Sequence, residues 1–451
     1  MKDSGTERIG NFATIDDRLA FGRTCRQRLH RVDQCRWIRR SGVDPVALLV
    51  SYSKNRLPQL LPIKWARMAL SPFAFFRGAV PLMAGDLAAS ANTGIIAQIC
   101  GDAHVRNLGA YAAPDGRLIF DINDFDETVT GPWEWDVKRL STSIVLAGRE
   151  ARSSENECVS AVREFVATYR LTADRCSKLT VLELARYLVR QRDSTPLKSV
   201  LIKAEKATPA RNLQKLTESA DGIPRFRENP PLLTRVNPST ANDVLRALAS
   251  YRQTLSFERR HFLERYRPID VAFKVVGTGS VGTRAYVVLC LGNGVEDALF
   301  LQVKEEPPSA YAPYVKQQVA CSNQGQRVVE GQRVMQAQSD IFLGWTSFGG
   351  RDYLVRQLSD HKASMESDEF KGGALIEYAR VCGEILAKGH ARSGDACMIW
   401  GYCGDADKLD KAIAQFAVSY ADQTEIDHKA FLSAIKAGTL AIESPVHDPA
   451  A

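Results

Sequence analysis

CGDAHVRNLGAYAAPDGRLIFDINDFD, running from Cys100 to Asp126, packs five Asp, one His and two Asn into a segment that otherwise reads as three short strands. Apolar residues lead in at Ile95, Ile96 and Ile99, continue at Leu108 and Tyr111, and return at Leu118, Ile119 and Phe120. Pro114-Asp115-Gly116 marks the turn between the last two runs. A hairpin whose far end carries alternating carboxylates is costly to bury unless a cation sits among them. The expected cation is a metal ion.

The spacing narrows the chemistry. Asp102 and Asn107 stand five positions apart, the separation used by kinase-type phosphotransferases, where the Asp accepts the proton of the attacking hydroxyl and the Asn holds magnesium. Asp124 follows in Asp-Phe-Asp, where such enzymes place the carboxylate that chelates magnesium at the nucleotide phosphates, with Asp121 a further ligand in the same run. Hard oxygen donors suit that ion, which keeps several waters and needs one or two protein carboxylates.

Far along the chain a second signal appears. VAFKVVGTGSVGTRAYVVLCLG reads strand, glycine turn, strand, and ALFLQVKE reads as a third strand ending near Lys304. Gly277, Gly279 and Gly282 make GxGxxG around Ser280. A dinucleotide-binding turn opens a helix, whereas this one opens the β-branched run after Tyr286, which is the arrangement of a hairpin over nucleotide phosphates with a Lys on the next strand. Glu330, on a helix expected over residues 314 to 338, is the expected partner of Lys304, because Glu305 points to the opposite face of its strand. Gln357, Leu358 and Ser359 fall where a hinge contacts an adenine edge.

SPFAFFRG (Ser71 to Gly78), CGDAHVRNLG, FDINDFDET and GPWEWDVKRL resemble the bacterial domain-of-unknown-function 2252 family, and the resemblance resumes at VVGTGSVGTRAY, LQVKE, VVEGQRVMQAQSDIFLGW and YLVRQL. That family is similar to the protein-kinase-like superfamily, closest in motif style to aminoglycoside and choline phosphotransferases with their HGDxHxxN loop. Cys100 replaces the first His of that pattern, while Asp102, His104 and Asn107 remain. The resemblance implies catalytic roles for Asp102 and His104. It also implies that Asp136, at the start of the next helix, supports the catalytic loop through backbone hydrogen bonds. Since the glycine turn begins about 175 positions after Asp102, the resemblance implies a circularly permuted chain, which compact domains tolerate.

Composition sets the outer limits. The 451 residues are 45% hydrophobic and 25% charged, with net charge +7 and ten scattered cysteines. This is an ordinary globular balance with room for two or three packed units and with thiols reduced in the core. No apolar run reaches the length of a membrane span and the first residues lack a signal pattern, so a cytoplasmic, membrane-free protein is expected. Seven arginines between Arg23 and Arg40 suggest a solvated basic arm; through it nucleic acid is a conceivable though disfavoured partner. Arg77 is expected to pair with a carboxylate, with contact to substrate or phosphate as the alternative.

The fold expected is α+β and bilobal, protein-kinase-like and permuted, with a small antiparallel sheet lobe and a large helical lobe. Its parts are a basic arm over 1–45, a helical lobe with the catalytic hairpin over 46–268, a sheet lobe over 269–362, and C-terminal helices over 363–451 that pack on the helical lobe. Residues 221 to 238, rich in Pro and charge, read as a flexible lid. The expected function is ATP- and magnesium-dependent phosphoryl transfer to a hydroxyl of a small molecule or protein. Transfer of AMP, or nucleotide binding without turnover, are the alternatives.

Overall fold

Strict alternation along Tyr286, Val288 and Cys290 against Val287, Leu289 and Leu291 calls for a strand covered on both faces, and the fold supplies both covers. The computed structural model describes residues 14–187, 195–220, 222–316, 321–358, 363–366 and 369–443. Twelve strands occur among them: β1 (Ile96–Ile99), β2 (Leu108–Ala112), β3 (Leu118–Ile122), β4 (Val129–Pro132), β5 (Thr217–Ala220), β6 (Ile223–Phe226), β7 (Leu233–Arg235), β8 (Arg267–Lys274), β9 (Ala285–Leu291), β10 (Ala298–Glu305), β11 (Gly344–Phe348) and β12 (Arg351–Gln357). The last six form one antiparallel sheet in the order β11-β12-β10-β9-β8-β7. Tyr286, Val288 and Cys290 pack with Val244, Leu248 and Tyr251 of the helix Pro238–Gln253, while Val287, Leu289 and Leu291 pack with Leu213 and Phe226. Each large apolar side chain buried this way contributes about 1.5–3 kcal/mol. The protein is α+β.

The second lobe is helical. Trp133–Glu150, Glu155–Ser177, Gly373–Ser393 and Lys408–Lys436 are its long helices, and their facing stripes enter one apolar core with β1 to β4. Gly383 lets two of them meet, since a Cβ there collides with the Phe165 carbonyl. The helix Gly373–Ser393 also packs on the acidic hairpin: Tyr378 donates to the Val105 carbonyl at 2.7 Å, and Lys388 pairs with Asp121. Stretches remote in the chain therefore meet at the hairpin. No helix among the described residues is long and apolar enough to cross a membrane. All ten cysteines are unpaired.

Three expectations are corrected. The segment before residue 45 is no solvated arm, and its residues 1–13 lie outside the described residues. The helix Ile15–Arg28 packs on Ala396–Cys403, where Arg26 donates to the Gly401 and Tyr402 carbonyls and Arg31 to that of Cys403. These cations cap the free carbonyls at a helix C-terminus, where the dipole favours them. Arg39 pairs with Asp86 and Asp427.

Nor is the Pro-rich stretch simply a lid. It carries β6 and β7, and β7 pairs with β8. The sheet lobe accordingly recruits β7 and the helices Pro209–Leu216 and Pro238–Gln253, all assigned by sequence to the helical lobe. Asp221 lies outside the described residues.

Candidate active site

The loop between β1 and β2 begins at Gly101, whose φ of +78° suits glycine and whose missing Cβ makes room for the Glu127 carbonyl. Fully buried Asp136, near the start of Trp133–Glu150, accepts the backbone N–H groups of Cys100 at 2.8 Å and Gly101 at 2.9 Å. His390 approaches the same carboxylate at 3.3 Å. This is the supporting role expected of Asp136. Asn107 donates to the Asp102 carbonyl at 2.9 Å, so the five-residue spacing closes a turn that fixes both side chains.

Asp102 has one oxygen committed. Arg139, fully buried one helical turn after Asp136, brings Nε to 2.7 Å and Nη2 to 2.6 Å of Asp102 Oδ1. Its guanidinium also lies 4.2 Å from the centre of the Phe76 ring. Burial raises the Asp102 carboxyl above its ordinary value, against the pull of Arg139. His104 sits beside it, with Nε2 3.7 Å from Asp102 Oδ2. Nδ1 of His104 accepts the Arg106 backbone N–H at 3.2 Å, so the neutral ring carries its proton on Nε2. Burial, then the arginines Arg77, Arg139 and Arg106, hold this imidazole well below its usual pKa and therefore neutral.

The acidic hairpin divides its carboxylates between two tasks. Asp121 is buried against Lys388, which engages the carboxylate expected to serve as a further metal ligand. Asp124 and Asp126 instead face the cavity. Asp126 Oδ2 pairs with Lys304 and accepts from Ser280 Oγ at 3.0 Å. Burial opposes the charge on Asp126, but Lys304 outweighs it and holds that carboxyl below the usual range. Burial and the adjoining Asp126 push Asp124 up to about 6.

Lys304 does not meet Glu330. That residue is exposed and takes its hydrogen bonds from Gln326 at 2.6 Å and from the Cys321 thiol. The second carboxylate near Lys304 is Glu306, 3.8 Å away, buried, and without a hydrogen-bond partner on either oxygen. Glu305 turns away to Arg284 and Arg351, as its alternate position demands. The expected hinge is likewise occupied: the Gln357 backbone N–H and Nε2 both donate to Asp340, and the Leu358 N–H donates to the Phe300 carbonyl. Ser359 lies outside the described residues.

The glycine hairpin closes the site from above. Gly277, Gly279 and Ser280 line a cavity together with Asp102, His104, Asn107, Asp124 and Asp126. Gly282 stands just behind, its φ of +92° beside Arg56. Cations of the preceding helices hold the loop down by its carbonyls: Arg67 at Gly277, Lys64 at Gly279 (3.0 Å) and Arg56 at Val281 (2.6 Å). The enclosed space is about 90 Å³, well below the roughly 300–1,000 Å³ of an ordinary ligand pocket.

Among the described residues no group of three or more His, Cys, Asp and Glu side chains is arranged to hold a metal. Magnesium asks for less, one or two carboxylates completed by phosphate and water. Asn107, Asp124 and Asp126 offer that set in one cavity, and Asp126 Oδ1 is buried without a hydrogen-bond partner. These donors fit the ion.

The family model described as an uncharacterized protein conserved in bacteria, DUF2252, matches residues 56–434. The chain belongs to the DUF2252 family. No curated protein and no solved structure gives a significant match. In this DUF2252 protein the matched span holds every site residue described above.

Several of those residues were not foreseen from the DUF2252 sequence. Arg139 carried a signal, since it falls three positions after Asp136 on the same helix face. Asp126 was visible in Asp-Phe-Asp but not its preference for Lys304. Glu306, nearer to Lys304 in sequence than Glu330 and two positions on along the same strand face, carried a signal that was passed over; Lys64 gave none, because its position depends on how the lobes meet.

Proposed function

We propose that this protein is a magnesium-dependent phosphotransferase that moves the γ-phosphoryl group of ATP to a hydroxyl acceptor. The observation that carries the reading is the ion pair between Lys304 of the sheet lobe and Asp126 of the hairpin, above a cavity that Asp102, Asn107 and Asp124 also line. Two remote stretches contribute different parts of one phosphate-handling set.

Asn107 and Asp124 would hold magnesium, with Asp126 beside them. When bound, the ion neutralises phosphate charge and fixes the orientation of the triphosphate. Lys304 is placed to contact those phosphates, and the hairpin of Gly277 to Gly282 to cover them and exclude water. Asp102 receives the acceptor proton on Oδ2, the oxygen that Arg139 leaves open, and its raised pKa makes it the stronger base. As that proton moves, the acceptor oxygen bonds the γ-phosphorus and the bond to the bridging β–γ oxygen breaks, releasing ADP.

The test is product analysis with the full-length chain, ATP and magnesium. Slow release of ADP, with water as a poor acceptor, is expected from the native protein and is lost in Asp102→Asn. AMP release would redirect the reading to adenylyl transfer. Absence of both at saturating ATP, with a pool of small hydroxyl compounds present, contradicts it.

A further inference from the structure

Cations around the cavity share a pattern: nearly all are engaged. Arg139 is held by Asp102, Arg106 by Glu366 at 3.0 Å, and Arg56, Lys64 and Arg67 by glycine-loop carbonyls. Arg77 breaks the pattern. It ends the short helix Pro72–Gly78 and lines the cavity beside Asp102 and His104. Its Nε is sealed from solvent with no hydrogen-bond partner, and its guanidinium makes no ion pair among the described residues. The expected carboxylate partner of Arg77 is absent among those residues.

The charges that influence Arg77 are those of Arg106, Asp102, Glu150 and Asp124, whereas those acting on Lys304 are Asp126, Glu306, Asp124 and Arg356. Arg77 lines the cavity beside Asp102 and His104, whereas Lys304 meets it through Asp126. Arg77 thus lies on the general-base side, where an acceptor must sit, and Lys304 on the nucleotide side. Burial, then Arg106, brings the Arg77 pKa down to about 10, so it remains cationic at neutral pH. A desolvated cation with an open fork is matched by a planar or tetrahedral oxyanion that takes two of its N–H groups.

Building on the phosphotransferase reading, we propose that Arg77 binds an oxyanion of the acceptor, making the substrate a hydroxyl compound that carries a phosphate or carboxylate. The site is complementary to an anionic acceptor and disfavours a cationic amino sugar or choline, which would bring a second positive charge against an unpaired guanidinium.

Inorganic phosphate and malonate serve as probes, titrated calorimetrically into the full chain loaded with magnesium and ADP. Phosphate as the tighter ligand indicates a phosphorylated acceptor; malonate indicates a carboxylate. In Arg77→Gln the affinity for the preferred anion falls by about tenfold or more, the loss of a charge-assisted contact, while ADP affinity is unchanged. Equal anion affinity in Arg77→Gln, or no binding of either probe to the native protein, overturns the proposal. Should the variant fail to fold, phenylglyoxal modification of Arg77 in the native chain, mapped by mass spectrometry, is slowed by the bound anion; an unchanged rate overturns it. Arg77-dependent anion binding without ADP binding supports the anion site while defeating the phosphotransferase reading.

Discussion

Lys304 and Asp126, 178 positions apart in the chain, form an ion pair in which the lysine side chain is only 3% exposed. The pair joins the sheet lobe to the acidic hairpin, and the second hairpin oxygen, Asp126 Oδ1, is left without a hydrogen-bond partner. Breaking a buried pair by removing one partner leaves the other charge uncompensated.

Lys304→Met therefore destabilises the protein as well as weakening nucleotide binding. The expected loss is about 2–4 kcal/mol, toward the lower part of the range for buried pairs because Asp126 is partly exposed. Urea unfolding measures it as a lower midpoint at unchanged slope. An unaltered midpoint contradicts the account of the pair.

Asp136→Asn replaces a carboxylate that accepts two backbone N–H groups with an amide that accepts fully through one atom only. Destabilisation of about 1–3 kcal/mol is expected, with faster hydrogen exchange at Cys100 and Gly101. Exchange that remains as slow as in the native protein removes Asp136 from its supporting role.

Glu306 gives a pH signature. Burial raises its carboxyl well above the ordinary value, with Asp126 adding to the effect and Lys304 opposing it. With the folded pKa above the unfolded one, the unfolded chain loses this proton first, so the contribution to stability is full below about pH 4.3 and falls as pH rises toward the folded value. Glu306→Gln abolishes that decline. Its unfolding midpoint should match the native protein near pH 4 and exceed it at pH 7; a constant difference across this range contradicts the assignment.

Arg139→Lys should separate positioning from binding. A lysine keeps the charge but cannot place two N–H groups on Asp102 Oδ1 as Arg139 does. Turnover is expected to fall by about 10- to 100-fold through a misplaced base, with little change in nucleotide affinity. Equal losses in both would make Arg139 a structural residue alone.

Local spacing made part of this legible. The placement of Asp102, Asn107 and Asp136 was readable because it depends on a turn of a few residues and on a helix start. The glycine hairpin and the Lys304 strand were readable because alternation fixes which side chains share a face. Glu330 misled because it stands exposed and bonds Gln326 of its own helix, while Arg327 of the same helix reaches the hairpin and donates to the carbonyls of Asp126 and Thr128. The clustered arginines near the N-terminus misled for a different reason. Several of their acceptors are carbonyls and carboxylates far along the chain, Gly401 lying 375 residues from Arg26. Arg77 was singled out in the sequence, but its expected carboxylate partner is missing among the described residues, since an unpaired charge is a property of the assembled cavity.

Thermal unfolding with ATP, in the presence and absence of magnesium, tests the central claim most directly. ATP with magnesium at a hundred times its dissociation constant should stabilise the native protein by about 2.7 kcal/mol, and Asp124→Asn should lose the magnesium-dependent part while keeping its own fold. No stabilisation of the native protein by ATP with magnesium, or the same magnesium-dependent shift in Asp124→Asn, would contradict the account.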